Sequence, residues 1–189
     1  MQTAGDAMLE GHPLRELFGE LIRKNFYHEL HLYDHQVTAY LADLLVDFLR
    51  TDQLYKIRDS RGKHLKEVGE MLVESNPALD APSFEREREV RKHIGDFTLF
   101  LTGLFPASLP RRPRSVRLDT VVDYVRAGKE SYHIVSKFDQ FEYRDVAPLF
   151  RKLSENFELC VFGLNRIGGE LQVLEAEGCY QQAQRALEA

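Results

Sequence analysis

The sequence predicts an all-α fold, a single-domain bundle of about six helices with short connections. Three observations carry this expectation. Apolar residues recur at steps of three and four residues along stretch after stretch of the chain. No segment sustains strand-like alternation between hairpin signals such as Asn-Gly or Asp-Gly. Over 189 residues, 43% hydrophobic and 29% charged residues, with 12 Phe and 8 Tyr, are enough to close one packed core.

The first helix is expected over Pro13–Lys24. Proline is tolerated at a first helical position, and Leu14, Leu17, Phe18, Leu21 and Ile22 follow in helical phase. A stripe from Val37 through Leu41, Leu45 and Phe48 extends backwards through Tyr33, Leu30 and Phe26, so one continuous helix is expected over Phe26–Leu49. Gly62 opens a third segment bearing Leu65, Val68 and Leu72, and Asn76-Pro77 closes it because proline disfavours helix in the preceding residue. Asp80, Pro82 and Ser83 make a helix start. The charged run Glu85–Lys92 then leads into Ile94, Phe97, Leu101 and Leu104, a helix that passes from solvent into the core. Pro106–Arg117, with its prolines and arginines, reads as an exposed linker. Asp119 caps the next helix, in which Gly128 implies a close neighbour, since glycine costs about 1 kcal/mol against alanine there. Asp145 caps a last helix that ends at Gly168-Gly169. Residues 1–11 are expected to be a flexible N-terminus, 12–170 the bundle, and 171–189 a tail that is either frayed chain or a short helix.

Composition narrows function by exclusion. A net charge of −5 argues against a polyanion such as nucleic acid as the main partner. The longest nearly apolar run, Phe97–Phe105, is interrupted by Thr102 and Gly103 and is far short of the roughly 20 residues of a membrane span. Two cysteines form neither a disulfide framework nor a thiolate zinc site, and the first residues lack a signal-peptide pattern, so a soluble cytoplasmic protein is expected. No Gly-x-Gly-x-x-Gly, phosphate-loop, Gly-x-Ser-x-Gly or His-Glu-x-x-His pattern occurs.

The remaining signals are polar residues that helical phase places on apolar faces. Asp34, His93, Lys129 and Tyr132 form a candidate ligand pocket, because buried polar groups must find partners and convergence would satisfy them together. The competing readings are an N-cap for Asp34, a core histidine for His93 and a snorkelling stem for Lys129. His31 and His35 stand four apart, the spacing of two metal ligands on one helix face, with His28 on the same flank. Glu130 and His133 supply one Glu-x-x-His spacing; di-iron bundles need two copies, and no other histidine has an acid three residues before it. These positions admit a transition metal, and no feature of the sequence names a cofactor. Arg111, Arg112, Arg114 and Arg117 form a candidate anion site, against the plainer reading of a solvated loop.

Two functions of different class follow. The first is a helical binding or interaction protein of unknown protein or small-molecule ligand, associating as a homodimer. Ile134 and Phe138 lie opposite Val125 and Tyr132, and Leu159 and Phe162 lie away from Leu153 and Phe157, giving two helices a second apolar face. The second is a metal-dependent oxidase or hydrolase with a His/carboxylate site in the bundle. The sequence contains no feature that names a substrate for either.

Overall fold

The computed structural model describes residues 13–49, 51–78, 83–109 and 114–173. Among these the chain is all α-helical, with eight α-helices rather than about six, and no β-strand. α1 (Pro13–Ile22) runs straight into a π-helical segment, Arg23–Glu29. α2 (His35–Phe48), α3 (Thr51–Leu54) and α4 (Val68–Glu74) lead to α5 (Phe84–Leu104). α6 (Arg114–Val135), α7 (Ala147–Glu155) and α8 (Phe157–Val173) complete the described chain.

α5 is the centre of the bundle, packing against α2, α4, α6 and α8. Ser83 starts it by accepting the Arg86 N–H at 3.2 Å. Phe84 and Glu85 are exposed, whereas every residue from His93 to Leu104 is buried, as the shift from charged to apolar sequence predicts. Burial on all sides leaves the Thr98 and Thr102 hydroxyls no water, so they donate to their own helix, at Ile94 O (2.7 Å) and Thr98 O (2.6 Å). Two glycines set the approach of α6. A Cβ at Gly95 would overlap the Tyr132 ring, and one at Gly128 would overlap Thr98 Oγ1 and the Phe157 ring, so the predicted close neighbour of Gly128 is present.

The extra helices come from two breaks. The expected helix over Phe26–Leu49 is interrupted at Leu30–Asp34, because Asp34 caps α2: its Oδ1 accepts the N–H groups of Gln36 (3.0 Å) and Val37 (3.2 Å). His31 in this break has φ +54°, a left-handed conformation outside any helix. The last helix divides at Asn156, whose N–H closes α7 on Lys152 O and Ser154 O. Other boundaries move too. α6 begins at Arg114, so Asp119 lies inside it and not at its cap; Val146, without a side-chain cap bond, stands where Asp145 was expected to cap; and α8 continues past Gly168-Gly169 to Val173. Gly62 opens no helix but sits at φ +82° in the turn beside the Arg58–His64 bridge.

The π-helical segment is anchored to α8 by a polar network. Buried Asn25 donates to Leu21 O (3.0 Å) and Glu170 Oε1 (3.1 Å), and its Oδ1 accepts from Arg166 Nε (3.1 Å). Arg166 also reaches Glu29, and Lys24 reaches Glu170. Among the described residues no helix is long and apolar enough to cross a membrane.

Candidate functional site

The most concentrated polar chemistry lies where α2, α5 and α6 meet. Asp96 is 1% exposed. Its Oδ1 accepts hydroxyl hydrogens from Tyr40 (2.5 Å) and Tyr132 (2.8 Å), and its Oδ2 receives the Lys92 ammonium at 2.6 Å. Lys92 also lies over the Tyr40 ring, 5.2 Å from its centroid. Burial pushes the Asp96 carboxyl up, but the Lys92 charge and the three hydrogen bonds outweigh it, so the group is held below the ordinary carboxylate range. Burial, followed by the Asp96 charge, raises both the Tyr40 and the Tyr132 phenols. Ionised Asp96 with neutral tyrosines is therefore the stable state. Both oxygens of Asp96 are engaged, which leaves it a structural acceptor rather than a base facing a substrate.

From this cluster an aromatic ladder runs to the surface. The Tyr40 and Tyr132 rings each stand 5.6 Å from Phe150, and the Arg88 guanidinium stacks 3.9 Å from the Tyr143 ring centroid.

His93 occupies the core as a neutral ring. It packs against Phe48 (5.6 Å) and Phe97 (6.0 Å), and neither ring nitrogen makes a well-formed hydrogen bond. Burial, with nearby Lys56 and Lys92, lowers its pKa to about 4, which Asp96 and the Leu54 backbone offset only in part.

The four expected pocket residues do not converge. Tyr132 is in the core, but on Asp96. Asp34 is the α2 cap and pairs with Lys152 of α7 at 2.7 Å, which together with the cap bonds lowers its pKa. Lys129 pairs with Glu158 at 2.8 Å on the surface. The capping and snorkelling readings therefore describe Asp34 and Lys129, because each reaches water and a partner without entering the core.

The expected metal ligands are also separate. The break before α2 removes the helical spacing between His31 and His35, and His31 Nδ1 instead meets the Tyr33 hydroxyl at 3.2 Å. Glu130 and His133 lie on α6, on the rim of a surface cleft. No three His, Cys, Asp or Glu side chains among the described residues are placed to hold a metal ion. Arg111 and Arg112 lie outside the described residues, and Arg114 and Arg117 are described only as backbone of α6.

Asp96 was not singled out from sequence, although a signal existed. It is the one ionisable residue between Ile94 and Phe105, with Lys92 four positions before it on the same helix face. Tyr40, on a different helix, carried no such signal.

Surface clefts among the described residues include the following three. One of about 240 Å³ lies between α1 and α2, one of about 770 Å³ between α1 and α8, and one of about 620 Å³ among α6, α7 and α8. None of them is lined by the Asp96 cluster. The third has mainly apolar walls, with Val125, Arg126, Lys129, Glu130 and His133 from α6 facing Ser154 and Glu158. Ser154 Oγ donates to Lys129 O at 2.9 Å and fixes α7 against α6 there. One turn along α8 from Glu158 stands Phe162, 54% exposed. No protein-family model, curated protein or solved structure matches the chain.

Proposed function

We propose that this chain is a helical interaction module that works as a homodimer through the surface of α6, α7 and α8. The observation that carries the reading is the pairing of exposed Phe162 with an apolar-walled cleft on one face of the bundle. Covering exposed apolar surface of this kind would supply part of the driving force for such an interface. The rim favours a second copy, since it carries Arg126 and Lys129 together with Glu130 and Glu158, and a twofold interface must be complementary to itself. The ionisable groups of the core support a role in architecture: Asp96 is fully engaged by its partners, and burial pushes the thiol of Cys160 up to about 12, which leaves it unreactive. The reading places the chain in the cytoplasm, where a free cysteine persists.

Sedimentation velocity across the micromolar range tests it. The expected result is a concentration-dependent dimer that Phe162→Glu weakens while leaving the far-ultraviolet circular dichroism intact. A monomer at every concentration up to high micromolar overturns the reading. A metal-dependent enzyme remains the second class of function for this sequence, and a transition metal retained in near-stoichiometric amount through purification without an affinity tag would favour it.

A further inference from the structure

α1 and the π-helical segment run antiparallel to α2: Arg15 pairs with Asp43 at 2.6 Å, and further along Tyr27 Oη meets Thr38 Oγ1 at 3.1 Å. Between these contacts lies the cleft of about 240 Å³. Its walls are Gly19 and Ile22 on one side and Ala39 and Ala42 on the other, so short side chains leave an apolar slot between the helices. A Cβ at Gly19 would meet no atom within 4 Å, whereas at Gly95 and Gly128 a neighbouring side chain already fills that position. Gly19 therefore serves no close helix contact, and the missing side chain leaves the slot open.

The two ends of the slot differ in charge. At one end Arg15 and Asp43 neutralise each other. At the other stand Arg23 and His35, and among the described residues neither side chain has a hydrogen-bond or ion-pair partner. The acids on the same elements are engaged elsewhere: Glu29 with Arg166, Glu170 with Lys24 and Asp34 with Lys152, while Glu20 lines the cleft between α1 and α8. Positive charge is left unbalanced at this mouth. Its frame is fixed. Arg23 and Tyr27 share the π-helical segment, which Asn25 ties to α8. Thr38 gives its own proton to Asp34 O at 3.0 Å, so Tyr27 donates to Thr38, and the Tyr33 ring stands 5.8 Å from that of Tyr27. Short π-helical insertions are frequent at functional sites.

From this arrangement we infer that the slot between α1 and α2 binds a small organic carboxylate, its acid group on Arg23 and His35 and its apolar body between Gly19, Ile22, Ala39 and Ala42. Guanidinium groups pair with carboxylates through charge-assisted hydrogen bonds, and an apolar slot with a few polar groups at one end is the usual form of a small-ligand site. The walls distinguish this ligand from inorganic phosphate, which has no apolar part to cover them. The slot shares no lining residue with the cleft among α6, α7 and α8, so the inference is independent of the self-association proposed above.

The test is titration of the full chain with isocaproate and with benzoate, followed by amide chemical shifts in nuclear magnetic resonance spectra. At least one of the two is expected to bind saturably, with a Kd of about 1 mM or tighter and with the shifts centred on Gly19, Arg23, Ala39 and Ala42. Arg23→Gln should weaken that binding about 10-fold or more, the loss of a charge-assisted hydrogen bond. Gly19→Leu should abolish it by filling the slot, while its thermal melt stays at or above that of the wild type because leucine is the better helix former. Arg23 is exposed, so Arg23→Gln should melt with the wild type and supplies a second variant whose folding is not in question. Four results would overturn the inference: no saturable binding of either carboxylate, shifts centred away from the slot, equal binding of the uncharged isocaproamide or benzamide, or tighter binding of inorganic phosphate than of either carboxylate. Binding that survives Gly19→Leu in a folded chain overturns it as well.

Discussion

Replacing Asp96 by Asn tests whether the buried cluster holds α2, α5 and α6 together. Asn has almost the same shape but no charge. Lys92 loses its counter-ion, and the two tyrosine hydroxyls, which donate to a carboxylate at 2.5 and 2.8 Å, are left with a neutral amide oxygen. Breaking a buried ion pair by removing one partner costs about 3–5 kcal/mol. Two features of the site move the expectation within that range. The Lys92 side chain is 33% exposed and can turn its ammonium to water, which lowers the cost. Against this, each tyrosine bond falls from the charged to the neutral class, a loss of about 1 kcal/mol apiece, and the new amide N–H₂ faces the lysine as a second donor. The sum is about 3 kcal/mol, or roughly 6–12 °C of melting temperature for a chain of this length. Urea denaturation at pH 7, followed by circular dichroism, should show a lower midpoint with an unchanged slope. A loss below about 1 kcal/mol would refute the reasoning, because it would mean that the carboxylate is no better than an amide in this position. A second variant guards against a trivial packing defect. Asp96→Asn combined with Lys92→Met removes both charges while leaving the two phenols an amide oxygen to donate to, and should be more stable than Asp96→Asn alone, since the penalty lies in the unpaired ion and not in losing the pair.

Further outcomes follow from individual contacts. His93 titrates near 4 when folded and near 6.5 when unfolded, so the unfolded chain binds the extra proton and stability falls as pH drops from about 6.5 to 4, by at most about 3 kcal/mol. His93→Leu should flatten that part of the profile, and parallel wild-type and variant profiles would count against a neutral buried ring. Asp96 has the same sign in a lower window: its network stabilises above the unfolded carboxylate value, near 3.9, and is lost as pH falls through the still lower folded value. Gly128→Ala should destabilise by about 1–3 kcal/mol despite the better helix propensity of alanine, because Thr98 Oγ1 is held by Ile94 O and the Phe157 ring has no free space; a raised melting temperature would show that α6 can shift. Asp34→Ala should cost about 1 kcal/mol through the lost cap, and Asp34→Asn much less, as read by urea midpoints.

What the sequence determined by itself is the set of helical faces. Apolar spacing of three and four residues reflects the geometry of one helix and needs no partner, so the stripes of α2, α5 and α8 were legible, as were the Ser83 start and the tight packing at Gly128. Tertiary structure decided where long stripes break. Nothing in the periodicity from Phe26 to Leu49 distinguishes a continuous helix from two helices in similar phase; the capping bonds of Asp34 and its Lys152 partner on α7 settle it. It also decided which polar residues meet. Asp96, Tyr40 and Tyr132 come together because Gly95 lets α6 approach closely enough for a phenol from another helix to reach a carboxylate. Helical phase says only that a side chain points inward. Which group it meets depends on the offset and crossing of neighbouring helices, set by packing among residues distant in the chain.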